Sequence, residues 1–273
     1  MKIRLLAAAI ACSALPALAI VPYMPLTLPQ GAHHPVLSPD GKTLLFSTDS
    51  HTGLNAISLT NGKITVVDEG ASAGFEPVFS TDGQTVYYRT AEINDGLMYR
   101  DVRSYNLAER KGRRLAQPTR DKVQLSDYAG GEYAEADYKT IRVVRDGKET
   151  RINPLADSHS YLWASLSADG TRLVFSEPFQ GVFVCNSDGT EARRLLKKGD
   201  YPAWAGENTI IAVISHDDGY QILDSRLVTV DTRTGNTTDI TAPDMLVSEA
   251  TASYNGKVVF SDINGRMYTL IID

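Results

Sequence analysis

The chain has 273 residues, with 27 basic against 33 acidic side chains and a net charge of −6. That balance lacks the basic face that phosphate-backbone binding needs, so it argues against a nucleic-acid partner and mainly favours solubility. The length suffices for one large domain with a sizeable core.

Lys2 and Arg4 give a positive start. An apolar, small-residue run follows from Leu5 to Leu18, interrupted by Cys12, Ser13 and Pro16. Ala17-Leu18-Ala19 puts small residues at both cleavage-determining positions. This predicts a secretory signal peptide over residues 1–19, with the mature chain starting near Ile20. The run is too short and wrongly flanked for a stable transmembrane span. A second reading is a lipoprotein anchored through Cys12, because Ala9-Ile10-Ala11-Cys12 loosely resembles a lipid-attachment box. No later stretch approaches the ~18 apolar residues that cross a bilayer. The expectation is a periplasmic or secreted protein with no transmembrane segment after signal removal. Losing Lys2 and Arg4 leaves 25 basic residues against 33 acidic. Cys185 then stands alone, so no intramolecular disulfide forms. Its strand-like setting, Gly181-Val-Phe-Val-Cys185, reads as a buried structural thiol.

From residue 20 onward the chain repeats itself. Pro35-Val-Leu-Ser-Pro-Asp-Gly-Lys-Thr-Leu-Leu-Phe-Ser47 recurs as Pro77-Val-Phe-Ser-Thr-Asp-Gly-Gln-Thr-Val-Tyr-Tyr-Arg89 and as Ala164-Ser-Leu-Ser-Ala-Asp-Gly-Thr-Arg-Leu-Val-Phe-Ser176. Decayed copies run from Pro202 to Val213 and from Ala250 to Ser261. The long gap between Asp82 and Asp169 leaves room for one more unit, and Val123-Gln-Leu-Ser126 fits its start. Each unit leads a short apolar run into an Asp-Gly turn, which tolerates the positive φ of a tight hairpin, and then into a β-rich run. A second hairpin closes each unit at Asn61-Gly62, Lys111-Gly112, Asp146-Gly147, Asp188-Gly189 and Thr234-Gly235. Four short antiparallel strands per ~40–50 residues make a propeller blade. Six such units predict an all-β, six-bladed β-propeller over residues 20–273. The last unit ends at Asp273 with three strands, and Tyr23-Met-Pro-Leu-Thr-Leu28 can supply the fourth and close the ring.

The Ser-Pro-Asp-Gly-Lys-Thr-Leu-Leu-Phe form at Ser38 to Phe46, with Ser80 to Tyr88 and Ser167 to Phe175, resembles the repeat of TolB-like propellers, the Asp-Gly variant of WD-type repeats. The resemblance covers nearly the whole mature chain, and three units carry good motifs. It implies the fold strongly and the function weakly. TolB binds envelope lipoproteins and energising proteins and carries an N-terminal α/β domain that this chain lacks. Related propellers also serve as gates of serine peptidases and as oligosaccharide lyases, and fold alone does not choose among these.

Candidate chemistry is sparse. Gly70-Ala-Ser-Ala-Gly74 matches a nucleophile elbow, but no helix follows it, and the segment reads as a loop between blades. The histidines are His33, His34, His51, His159 and His216. Adjacent residues on a strand point to opposite faces, so at most one of His33 and His34 enters the channel, and no ligand cluster is spaced for a metal. Asn186-Ser-Asp-Gly189 and His216-Asp-Asp-Gly219 read as hairpin turns rather than calcium loops. No catalytic residue, metal site or cofactor is assigned. Aligning the repeats places His34, Glu76, Lys122, Trp163, Tyr201 and Glu249 where each innermost strand enters one mouth of the channel. Aromatic area combined with oriented charge suits anchoring a peptide or a sugar; a wet channel mouth also favours polar residues without any ligand. Tyr128 to Tyr138, acidic and tyrosine-rich, is either a partner-facing patch or a drifted strand pair.

The sequence therefore supports an exported, non-catalytic scaffold that binds an envelope or extracellular protein or peptide. The alternatives are a glycan- or peptide-processing enzyme that uses the channel, with or without the help of a metal, and a purely structural component of an envelope assembly. An enzyme of this kind should show convergent His, Glu and Arg at one mouth; a structural component should show an exposed apolar patch on a flank.

Overall fold

The computed structural model describes residues 22–156 and 160–272. The expected signal peptide, Cys12 and His159 lie outside the described residues. Six antiparallel sheets succeed one another along the chain. Blade 1 comprises His33–Leu37, Thr43–Ser47, Leu54–Ser58 and Ile64–Asp68. Blade 2 comprises Val78–Phe79, Thr85–Asn94, Leu97–Asn106 and Lys111–Thr119. Blade 3 holds Tyr133–Asp137, Thr140–Arg145 and Lys148–Ile152. Blade 4 is Leu162–Leu166, Arg172–Glu177, Gly181–Asn186 and Arg193–Leu196. Blade 5 is Asp200–Trp204, Thr209–Asp217, Ile222–Asp231 and Thr237–Asp239. Blade 6 is Val247–Ala252, Lys257–Asp262 and Met267–Ile271, completed by the N-terminal strand Met24–Pro25. Met24 pairs with Thr269 and Pro25 with Tyr268, so the six-bladed ring closes as the sequence predicts.

The recurring Ser-x-Asp-Gly turn is held by its own side chains. In blade 1 the Ser38 hydroxyl donates to Asp40 at 2.7 Å and accepts from the Thr43 amide at 2.9 Å, while Asp40 also accepts from the Lys42 amide at 3.1 Å. Ser80 with Asp82, and Ser167 with Asp169, repeat this pattern. In blade 6 the Ser253 hydroxyl donates to the Asn255 side-chain oxygen, which accepts from the Lys257 amide, so the serine-to-side-chain and side-chain-to-amide bonds recur there. Serine and aspartate at this spacing therefore satisfy the turn's backbone donors locally. Hydrogen bonds from Ser167 and Thr171 hold the Asp169 carboxyl down at about 2.

The core lies between the blades. Val174 and Val182 of blade 4, for example, pack with Trp204, Ile210 and Val228 of blade 5, all fully or almost fully buried. Cys185 is buried in the blade 4 core, and burial pushes its thiol up to about 12, as a structural cysteine requires.

Blade 3 differs from the other five. Its sheet has three strands. Residues 122–125 enter at the innermost place without forming a ladder, and Ser126–Ala129 forms one helical turn packed on blade 2. Arg142 is buried on this sheet and ties the turn to it. Its guanidinium takes Asp127, Glu135 and Glu149 as ionic partners and donates to the Ser126 hydroxyl at 3.1 Å. Burial opposes that charge, but the hydrogen bonds to Asp127 and Glu149 raise the pKa above its ordinary value. Ser126 and Asp127 are held in the turn by these contacts, where the other blades carry an inner-strand ladder.

Candidate functional site

The alignment-derived ring residues converge on one mouth. His34, Glu76, Trp163, Tyr201 and Glu249 line a cavity of about 620 Å3. Glu76 and Trp163 also line a neighbouring cavity of about 780 Å3, and Lys122 lies there with them. The two cavities share a wall and form one divided opening.

A repeated backbone device sets these positions. Blade 1 pairs His33 with Ser47 but Val36 with Leu45, so its inner strand carries one extra residue at this step. Blades 4 and 5 shift register at the same place, around Trp163 and Tyr201, whereas blade 6 shifts one residue earlier, at Ser248, and pairs Glu249 with Ser261. A bulge of this kind re-aims a side chain. His34, Glu76, Trp163 and Tyr201 have φ of 56°, 47°, 50° and 53°. Four bulky or charged residues in the left-handed region at equivalent positions represent stored strain of about 1–3 kcal/mol each, and strain of this sort is concentrated at functional sites.

Two kinds of chemistry meet at the mouth. On one side, Trp163 and Tyr201 pack ring to ring, with centroids 4.5 Å apart and planes at 38°. Trp163 is 36 % exposed, and burial pushes the Tyr201 phenol up to about 12, so it is a neutral hydroxyl. On the other side, His34 Nδ1 and Glu249 Oε1 are 2.7 Å apart, and the His34 amide donates to Glu249 Oε2 at 2.9 Å. His34 Nε2 lies 3.2 Å from the Asp49 carbonyl. The His34 ring stacks on His51, which meets the edge of Phe75. Glu249 is in blade 6 and His34 in blade 1, so this pair spans the seam where the ring closes.

The seam carries a pH dependence. The hydrogen bond to Glu249 raises the His34 pKa above 6.5 against the opposing effect of burial. Burial works against the Glu249 carboxylate, yet the bonds from His34 hold it below 4.5. The histidine contribution is complete below its unfolded value and fades as pH rises through the folded one. The glutamate contribution is complete above its unfolded value and fades as pH falls through the folded one. The clasp is therefore strongest between 4.5 and 6.5. In melts across pH, the stability lost on Glu249→Gln is expected to be greater near about pH 5.5 than near about pH 8.5. An equal loss at both would mean that the pair is not ionised.

Two features that no sequence motif marks frame this mouth. The second-to-third-strand hairpins of blades 2 and 5 are nine to ten residues long on each side, against five to six in blades 1, 4 and 6. Innermost strands leave the ring mouth and second strands return to it, so both long hairpins project there, from opposite blades of a six-membered ring. Their tips expose Ile93, Leu97 and Met98 on one arm and Tyr220, Ile222 and Leu223 on the other.

The remaining candidates resolve as turns. Gly70–Gly74 links blades 1 and 2 with no helix after it, and no hydrogen bond joins Ser72 to a histidine among the described residues. Asp188 accepts from the Thr190 amide and hydroxyl, and Asp217 and Asp218 accept from the amides of Gly219, Tyr220 and Gln221. Among the described residues no group of three or more His, Cys, Asp or Glu side chains is placed to hold a metal ion. No helix among them is long and apolar enough to cross a membrane.

No family model and no curated protein matches the chain. Solved structures do. A TolB-type protein of Agrobacterium tumefaciens superposes with a TM-score of 0.54 at 17 % identity, covering 90 % of this chain and 92 % of its own. The fold is that of a TolB-like propeller. The β-propeller domain of Cps50 (Swd1) from Myceliophteria thermophila gives a TM-score of 0.54 at 9 % identity, covering 92 % of this chain and 99 % of that domain. The acylaminoacyl peptidase of Pyrococcus horikoshii gives 0.50 at 12 % identity, covering 85 % of this chain and 42 % of the peptidase. Identities this low establish the shared TolB-like architecture, and the function has to be argued from the mouth.

Proposed function

We propose that this TolB-like propeller is an exported, non-catalytic scaffold that captures a protein segment at the ring mouth, in the periplasm or outside the cell. The observation that carries this reading is the exposed Trp163–Tyr201 pair, set on strained backbone beside the His34–Glu249 ion pair between two apolar-tipped arms. The aromatics supply contact area at low entropic cost, the polar groups fix orientation, and the arms extend the platform. Exposed apolar side chains on paired hairpins mark an interaction surface. His34 has both ring nitrogens engaged, so it is not free to act as a general base.

The test is capture from envelope extract with the chain from Ile20 to Asp273, followed by titration of the identified partner. Aromatic anchors that become buried on binding contribute about 2 kcal/mol or more each, so Trp163→Ala with Tyr201→Ala should weaken binding by roughly a thousandfold. An unchanged affinity would move the interface away from this mouth.

A further inference from the structure

The outer flank of blade 4 departs from the charge of the rest of the molecule. The chain carries a net charge of −6, and the outermost strands of blades 1, 5 and 6, Ile64–Asp68, Thr237–Asp239 and Met24–Pro25, contain no lysine or arginine. The outermost strand of blade 4 and the two residues after it read Arg193-Arg194-Leu195-Leu196-Lys197-Lys198. All four cations are exposed, and none has a carboxylate partner among the described residues. Arg193 and Arg194 pair in register with Val184 and Phe183, so their side chains leave opposite faces of the strand and form no single concave site. Neither mouth cavity reaches this run.

An apolar side chain stands beside it. Phe179 is 91 % exposed at the tip of the hairpin between the second and third strands. The buried Glu177 fixes it there: the Phe179 amide donates to Glu177 Oε2 at 2.9 Å, and the Gln180 amide donates to the Glu177 carbonyl at 3.1 Å. The hairpin backs onto the cationic run, because a methyl group on Gly181 would lie 2.8 Å from the Lys197 carbonyl oxygen. Keeping an edge strand from pairing accounts for cations on the strand itself. It does not account for Lys197 and Lys198 beyond the strand's end, nor for a phenylalanine held out in water next to them. Blade 2 shows the difference. Its outermost strand also carries Lys111, Arg113 and Arg114, but Arg114 is paired with Asp101 and no large apolar side chain is exposed on that strand.

We propose that the blade 4 flank docks on a bilayer containing anionic phospholipid, with Phe179 entering the headgroup region and Arg193, Arg194, Lys197 and Lys198 meeting lipid phosphates. Unpaired cations spread over an outer flank suit many mobile headgroups better than one shaped ligand, and an aromatic side chain among cations suits the boundary between headgroups and acyl chains. The fourth strand of a blade returns to the mouth side, so Phe179 and Lys198 lie at the mouth end of the flank, and docking would hold the mouth beside the bilayer. The inference stands apart from the mouth-capture reading, because it uses none of the mouth residues.

Vesicle flotation tests the idea, using the chain from Ile20 to Asp273 with vesicles of phosphatidylcholine alone and of phosphatidylcholine containing about one-third phosphatidylglycerol. The protein should float with the anionic vesicles only, and be released as salt rises from about 0.05 to 0.5 M and screens the headgroups. Lys197→Glu with Lys198→Glu should weaken binding roughly twentyfold or more, and Phe179→Ala roughly fivefold or more. Lys111→Glu with Arg113→Glu changes the net charge equally and should weaken it less than about threefold. The emission of Phe179→Trp, relative to the parent, should shift to the blue with the anionic vesicles only. No flotation, equal flotation with both lipids, equal losses at the blade 2 and blade 4 pairs, or an unmoved Phe179→Trp emission would overturn the inference. Binding that soluble polyglutamate displaces and that Phe179→Ala leaves intact would also overturn it, and would assign the flank to an acidic protein.

Discussion

Trp204→Ala is expected to lower stability by about 3–5 kcal/mol, a melting-temperature drop of roughly 10 °C for a domain of this size. Trp204 is 1 % exposed and sits between blades 4 and 5, where its indole N–H donates to the Ser165 carbonyl at 3.0 Å. The Arg172 guanidinium lies 5.0 Å from its ring centre and donates onward to the Glu207 carbonyl and the Asn208 side chain. Truncation would open a void, remove the hydrogen bond to the Ser165 carbonyl and take away the platform under Arg172 in one step. Trp204→Phe keeps most of the volume and loses the hydrogen bond, so its cost should fall to about 1–2 kcal/mol. Urea midpoints of both variants check this ordering, and equal costs would mean that the hydrogen bond rather than the volume holds this seam. The same short strand carries Tyr201 at the mouth. Tyr201→Ala should therefore cost binding far more than stability, and Trp204→Ala the reverse.

That division of labour along Asp200–Trp204 explains why so much of the molecule was legible in the sequence. The turn motif is stabilised by contacts within five residues, such as Ser38 with Asp40 and Thr43, so three good copies and their decayed relatives mark the blades without tertiary information. The mouth residues follow from the same register, because the inner-strand bulge recurs at the equivalent step. Lys122, from the least regular unit, still reaches the opening, where Asp137 holds it.

The features that escaped depend on length and on distant charge. From Asp82 to Lys111 is 29 residues and from Glu207 to Thr234 is 27, against 21 from Asp40 to Asn61 and 19 from Asp169 to Asp188. That excess is the pair of arms, and it is visible in the spacing once each blade is measured from turn to turn. The missing ladder of blade 3 is different. It accompanies a meeting of Arg142 with Asp127, Glu135 and Glu149 from three segments, and no local pattern announces that meeting. The acidic stretch around Tyr128–Tyr138 signalled an anomaly but not its consequence, a three-stranded blade whose Glu135 and Ala136 line the mouth cavity.

Gly181→Ala should be as damaging as the loss of Trp204, for a different reason. Gly181 begins the third strand of blade 4 with φ of 105°, and a methyl group there would lie 2.1 Å from the Leu196 carbonyl oxygen and 2.6 Å from the Lys197 carbonyl carbon. Both are backbone atoms, and Leu196 is the register partner of Val182 beside the bulge in that strand pair, so neither can retreat without breaking the edge of the blade. Backbone strain of about 1–3 kcal/mol combines with overpacking of about 1–3 kcal/mol. Gly219, at the tip of the blade 5 arm, separates the two contributions. It has φ of 86°, and a methyl group there would meet nothing within 4 Å, so Gly219→Ala reports backbone strain alone, at an exposed turn free to relax. In parallel urea titrations Gly181→Ala should lose several times more stability than Gly219→Ala. Equal losses would show that the blade 4 edge yields to the intruding methyl, and that positive φ alone fixes glycine at both sites.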